Sequence, residues 1–131
     1  MEKILIVDDQ AEIRRLLGIS LHREYEVIEA TDGASAMEML RQHRPRAVLL
    51  DVMMPGEPDG LGVLVAIKSD PYHRHIPVAM LSARGQVADI EAARAYGADN
   101  YFTKPFSPLS VLAWLREALA RSAPNTDFTQ L

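Results

Sequence analysis

The 131-residue chain contains no cysteine, which excludes disulfides, zinc–thiolate centres and thiol catalysis. It also lacks a basic excess: a net charge of −4 offers no electrostatic footprint for nucleic acid or an anionic membrane. No apolar run reaches the 18 residues that a membrane-spanning helix needs. The sequence enters a strand-like run by its third residue, which leaves no room for a signal peptide, so a cytoplasmic location is expected. Internal repeats and low-complexity segments are missing too. What remains is one domain-sized chain, 48% hydrophobic, sufficient for a single core.

Four apolar runs each end on a polar or charged residue. They are Ile4-Leu5-Ile6-Val7-Asp8-Asp9, Ala47-Val48-Leu49-Leu50-Asp51, Pro77-Val78-Ala79-Met80-Leu81-Ser82 and Tyr101-Phe102-Thr103-Lys104-Pro105. Short apolar runs bounded by breakers read as strands buried on both faces, the pattern of a parallel sheet. Open parallel sheets bind ligands beyond the carboxyl ends of their strands. Three carboxylates, a hydroxyl and an ammonium are therefore expected to meet at one edge, as a metal and phosphoryl site.

Between these runs the pattern is helical. Ile13, Leu16, Leu17 and Leu21 recur at helical spacing, followed by a short alternating strand from Tyr25 to Glu29. Ala34 to His43 is rich in helix formers, and Pro45 ends it. Asp59-Gly60 reads as a helix start, with Leu61, Leu64 and Ile67 on one face. Val87, Ile90 and Ala93 predict another helix that stops at Gly97. A last helix runs from about Ser107 to Arg121, with Val111, Leu112, Leu115, Ala118 and Leu119 on its core stripe. The fifth strand, Asp99 to Thr103, is the weakest. Strands alternating with helices predict right-handed crossovers and a sheet covered on both faces. Residues 1–121 are expected to form the domain, and 122–131 a linker or frayed tail.

With Asp8-Asp9, Leu50-Asp51-Val52-Met53-Met54-Pro55, Leu81-Ser82-Ala83 and Gly97 through Phe106 in this order, the chain resembles a receiver domain of two-component response regulators. The resemblance runs from about Glu2 to Arg121. It implies a flavodoxin-like α/β fold, a doubly wound five-stranded parallel sheet with five helices. It also implies phosphorylation of Asp51 by a sensor histidine kinase or histidine phosphotransfer protein. A downstream partner or a fused output domain would read the result, and a phosphorylation-dependent homodimer is compatible with it. Direct contact with nucleic acid or membrane is not expected.

The chemistry gives the implied roles a reason. Phosphoryl transfer needs positioning and charge neutralisation more than covalent work by the protein. A carboxylate nucleophile repels an anionic phosphoryl group unless a divalent cation intervenes, and magnesium (or manganese) prefers oxygen ligands. By resemblance, Asp9 and Asp51 ligate the ion directly, Asp8 acts mainly through water, and the Met53 backbone carbonyl adds an oxygen. Lys104 supplies positive charge and Ser82 a donor, while small Ala83 lets its amide approach. Ser82 and Tyr101 form the implied switch pair, and a cis peptide before Pro105 aims the lysine.

Each position alone has a plainer reading: Asp8-Asp9 or Ser82 as helix caps, Asp51 as a turn residue, Lys104 as a surface lysine. Their joint occurrence on one edge favours the site. His73-Arg74-His75 reads as a solvated loop at the opposite edge, Glu91 to Arg94 as a solvated helix face, and Met37, Met39, Met54 and Met80 as core. The sequence departs from the family in one loop, where Gly56-Glu57-Pro58 makes the path to Asp59-Gly60 one residue longer. A stiff, outward loop that leaves Asp51 in place is expected. Family positions of a charged dimer lattice hold Ser110, Trp114 and Asn100, so any phosphorylation-dependent contact on the face of the fourth helix, fifth strand and last helix is expected to centre on apolar groups. Trp114, at the margin of the core stripe, either lies across the core edge or anchors a partner. A haloacid-dehalogenase-type phosphohydrolase would need an acid at Met53. A flavin or nucleotide binder would need a phosphate loop where Asp8-Asp9-Gln10 stands.

Overall fold

The computed structural model describes residues 1–83 and 87–121, so the expected tail at 122–131 lies outside the described residues. Five strands alternate with five helices: β1 Lys3–Val7, α1 Ala11–Leu21, β2 Glu26–Ala30, α2 Gly33–His43, β3 Ala47–Asp51, α3 Gly60–Ser69, β4 Val78–Ser82, α4 Val87–Ala95, β5 Asn100–Thr103 and α5 Pro108–Arg121. All strand pairs are parallel, in the order β2-β1-β3-β4-β5. This is the expected doubly wound, flavodoxin-like sheet.

Strand alternation divides the core. Leu5, Val7, Val48, Leu50, Val78 and Met80 face α2, α3 and α4, where they meet Leu40, Leu64, Ile67 and Ala93. Ile4, Ile6, Leu49, Ala79 and Leu81 face the other way, onto Leu17, Leu21, Val111 and Leu115 of α1 and α5. Each of the fully covered Val, Leu, Ile and Met side chains among them contributes about 1.5–3 kcal/mol to folding. The three central strands are therefore continuous apolar runs. β5 differs from the expectation of burial on both faces: at the sheet edge its residues are half-buried and Thr103 is exposed.

Local signals explain the helix starts. Asp32 and Ser35 form a reciprocal capping box on α2, and Asp59 caps α3 through the Gly62 amide at 2.8 Å. Asp8 and Asp9 cap nothing: the N-cap of α1 is Gln10, which makes no side-chain cap bond. Ser82 ends β4, and its hydroxyl caps no helix among the described residues.

Four expectations change in the structure. Trp114 is only 9% exposed and meets Phe102 edge-on, with ring centres 6.3 Å apart, so the core-edge reading holds and the partner-anchor reading does not. His73 is half-buried against Asp70, its Nδ1 2.7 Å from Asp70 Oδ2, while His75 is exposed as expected. The segment Glu91 to Arg94 is no plain solvated face, because Ala93 is fully buried and Arg94 Nε donates to the Tyr101 hydroxyl at 2.7 Å. The long loop is outward only in part. Pro55, Gly56 and Glu57 are exposed, and Pro58 folds back so tightly that a Cβ on Gly33 would lie 1.8 Å from its carbonyl oxygen.

Candidate functional site

The parallel register brings the carboxyl ends of β1, β3, β4 and β5 to one edge, and with them every expected side chain of the site. Asp51 pairs with Leu81 across the sheet and Ser82 with Thr103. The Lys104 amide continues the ladder to the Ser82 carbonyl at 2.7 Å. The Lys104–Pro105 peptide is cis, as is Glu57–Pro58, which the sequence did not announce.

Asp8 is fully buried, Asp51 is 4% exposed, and Asp9 is open to solvent. Carboxylate oxygens of the three lie within 4.8 Å of one another. Lys104 Nζ stands 2.9 Å from Asp8 Oδ2 and 3.6 Å from Asp51 Oδ1. The Asp51 carboxylate accepts a long hydrogen bond, 3.4 Å, from the Met53 amide. Burial pushes the Asp51 carboxyl up to about 7, and the charge on Asp8 and the neighbouring Asp9 add to the rise; Lys104 and the Met53 amide oppose it.

A divalent cation fits this donor set. Three acidic side chains in so small a volume carry more negative charge than Lys104 neutralises, and oxygen-only donors suit a hard cation. Asp8 Oδ2 is buried, and its close neighbour is the Lys104 ammonium at 2.9 Å, so Lys104 occupies the acid when no cation is bound. Asp9, Gln10, Asp51, Met53, Ala83 and Lys104 line a shallow pocket of about 420 Å³ above the cluster. The Ser82 hydroxyl, fully buried, has no hydrogen-bond partner among the described residues. A buried hydroxyl without a partner is costly.

Tyr101, paired with Met80, lies two residue pairs back from the Ser82–Thr103 end, on the α4 side of the sheet. Its ring is half-buried against the core, its hydroxyl is held by Arg94, and the Arg94 guanidinium sits 5.3 Å from the ring centre. Phe102 points to the opposite face, as alternation requires.

Three supporting residues escaped the sequence reading. Gln10 accepts from Lys104 Nζ at 2.6 Å while its own amide donates to Asp8 Oδ1 at 2.8 Å, so it joins lysine and acid. Arg14 Nη1 donates to the Asp8 carbonyl oxygen at 2.8 Å, fixing the end of β1. Gly60 was read only as a helix start, yet a Cβ there would lie 1.9 Å from the Asp51 carbonyl oxygen. Its closeness to the acceptor loop is what seats α3. The Asp-Gly pair carried that signal; nothing in the sequence singled out Arg14.

Similarity to known proteins agrees with this geometry. Residues 4–116 match the family model described as "Response regulator receiver domain". The chain is 43% identical over 122 residues to the "Probable transcriptional regulator ycf27" of Guillardia theta, covering 92% of this chain and 46% of that protein. It is 38% identical over 123 residues to the phosphate regulon transcriptional regulatory protein PhoB of Klebsiella pneumoniae, covering 93% and 53%. The chain spans about half the length of the curated relatives it matches. Among solved structures, the receiver domain of NtrX from Brucella abortus superposes with a TM-score of 0.82 at 34% identity, covering 89% of this chain and 98% of that one. The sheet order, the acidic edge and these matches lead to one conclusion: the chain belongs to the response regulator receiver domain family.

Proposed function

We propose that Asp51 is the phosphoacceptor of this domain, that its loading needs magnesium or manganese, and that the phosphoryl group comes from a histidine kinase or a histidine phosphotransfer protein. One observation carries the reading: three carboxylates within 4.8 Å, with Lys104 against two of them and a buried, unpartnered Ser82 hydroxyl on the neighbouring strand. An oxygen of Asp51 forms the new bond to phosphorus as the P–N bond of a phosphohistidine breaks. The imidazole leaves with the bonding pair and takes a proton, and an acyl phosphate remains. Asp9, Asp51 and the Met53 carbonyl would hold the cation, with Asp8 behind them; when bound it neutralises charge on the transferred group. Lys104 has the reach to pair with a phosphoryl oxygen, at the expense of Asp8.

The same reading makes the domain a switch, catalysing its own loading and unloading but working as a signalling module. The Ser82 hydroxyl turns toward the phosphoryl oxygen, and the Tyr101 ring moves into the space vacated. The phosphoryl group has to favour that arrangement by about 2–5 kcal/mol to shift the population decisively. The output is a fused domain or a separate partner in the cytoplasm. Any phosphorylation-dependent dimer on the α4, β5 and α5 face uses the exposed Val87, Tyr96 and Leu109, since Trp114 is buried.

Incubation with a small phosphodonor and magnesium, followed by intact mass, tests the reading. Wild type gains one phosphoryl group and Asp51→Asn gains none. Loading of the Asn variant would refute the assignment.

A further inference from the structure

A cavity of about 680 Å³ lies at the opposite end of the sheet from Asp51. Its walls come from two segments. One is the end of α2 and its exit, with Arg41, Arg44, Pro45 and Arg46; the other is the loop between α3 and β4, with Tyr72, His73, His75, Ile76 and Pro77. On a chain of net charge −4, this end is basic. Asp70 is the one acidic residue in the lining, and it is engaged with His73. Arg46 pairs with Glu2. Arg41 and Arg44 have no carboxylate partner among the described residues. A cation near the end of a helix also offsets the helix dipole, which accounts for Arg41 in part. Arg44 is the C-cap of the same helix, with φ of 48°, a conformation that favours glycine or asparagine, so its arginine side chain is not chosen by the backbone.

The cavity is also built in advance. Lys68 Nζ donates to the carbonyl oxygens of Arg74 and Ile76, at 3.2 and 2.9 Å, and to Asp99 Oδ2 at 3.0 Å. Asp70 accepts from the Tyr72 amide at 2.9 Å, and its carbonyl accepts from the His73 and Arg74 amides. This loop keeps its shape without help from the phosphoryl site. Its floor is apolar, with Pro45, Ile76 and Pro77, and the Tyr72 ring stands 84% exposed at its edge. The volume is in the range of small-molecule sites and far exceeds a single phosphate.

The geometry points to a second ligand site on this domain, for a nucleotide: phosphates on the Arg41 and Arg44 guanidinium groups, and the base against Tyr72 over the proline and isoleucine floor. Guanidinium forks match phosphate oxygens, and an exposed aromatic face accepts any base by stacking. The assignment is independent of the phosphoacceptor reading, since no residue is shared between the two sites.

The test uses the isotope-labelled full chain in excess chelator, titrated separately with ADP, pyrophosphate and adenosine and followed by amide NMR. ADP is expected to move Arg44, Arg46, Tyr72 and His75 and to leave Gln10 and Met53 in place. It should bind at least about tenfold more tightly than pyrophosphate or adenosine. Arg41→Gln combined with Arg44→Asn, the latter compatible with the left-handed backbone, should weaken ADP on the order of a hundredfold. Tyr72→Ala, at an exposed position that folding does not need, should weaken it roughly tenfold. Asp51→Asn should change nothing. Absence of shifts at Arg44 up to millimolar ADP, or shifts confined to Gln10 and Met53, would overturn the site. Pyrophosphate binding as tightly as ADP, or a Tyr72→Ala variant with full affinity, would overturn the nucleotide assignment.

Discussion

Arg94 Nε donates to the Tyr101 hydroxyl at 2.7 Å while its guanidinium carbon sits 5.3 Å from the centre of the same ring. One side chain of α4 thus holds the ring of β5 by both its polar tip and its face, in a half-buried position. Exposed cation–π contacts are worth about 0.5–1 kcal/mol, and a neutral acceptor adds a similar amount. Together these come to about 1–2 kcal/mol, enough to tilt a two-state ring but not to lock it against a bias of about 2–5 kcal/mol. Arg94→Ala should move the Tyr101 ring resonances of the unphosphorylated chain toward those of a beryllofluoride-loaded one, with little change in unfolding midpoint. Ring spectra identical to wild type would contradict a latch.

Asp51 links the site to pH. Burial raises its carboxyl from 3.8 to about 7 in the metal-free fold. Between those values the folded chain keeps a proton that the unfolded chain has released. The stability tied to that proton is complete below about pH 4 and lost as pH rises through 7. In chelator, the urea midpoint should fall between about pH 5 and pH 8. Saturating magnesium should flatten the trend, because a bound cation favours the ionised carboxylate. A midpoint that climbs with pH in chelator would contradict the assigned direction. Asp32 and Asp70, whose carboxyls are held low by hydrogen bonds, act below this window.

Two glycines should respond in opposite directions. A Cβ on Gly60 would meet backbone oxygens of Asp51 and Val52 at 1.9 and 2.6 Å, contacts that no rotamer relieves. Gly60→Ala should cost roughly 2–4 kcal/mol and slow loading of Asp51. Gly18, inside α1, has nothing within 4 Å of such a Cβ. Gly18→Ala should stabilise the fold by about 0.5–1 kcal/mol through helix propensity alone. Denaturant titration reads both.

The lone tryptophan separates core from surface on α5. Trp114→Ala removes a buried ring packed on Phe102 and should cost about 3–5 kcal/mol. Leu109, 73% exposed on the same helix, should tolerate serine within about 0.5 kcal/mol. If the loaded domain dimerises through this face, Leu109→Ser weakens the dimer in sedimentation without touching stability. A dimer that ignores Leu109→Ser and dissociates in salt would place the contact on charges instead.

Strand ends were legible because apolar runs of β1, β3 and β4 stop at Asp8, Asp51 and Ser82, and a parallel sheet must bring such ends together. The alternation of β5 correctly separated Tyr101 from Phe102, but an edge strand need not be buried, and its pattern could not show that. For Trp114 the sequence leaves core edge and partner anchor both open, and the structure shows the core edge. A helical wheel places a side chain by angle, while an indole is long enough to reach the Phe102 edge from the margin of the stripe. Long-range polar partners left no trace in spacing: Gln10 to Lys104, Arg14 to the Asp8 carbonyl, Arg94 to Tyr101. Pro58 against Gly33 is likewise a contact that only the folded chain reveals.

Locating the phosphoryl group is the most direct test of the central claim. Borohydride converts an aspartyl phosphate to homoserine, so peptide mapping after loading with a small phosphodonor and magnesium identifies the residue. The account predicts homoserine at position 51 alone, and none when chelator is in excess. Homoserine at position 8 or 9, or full conversion in chelator, would contradict it.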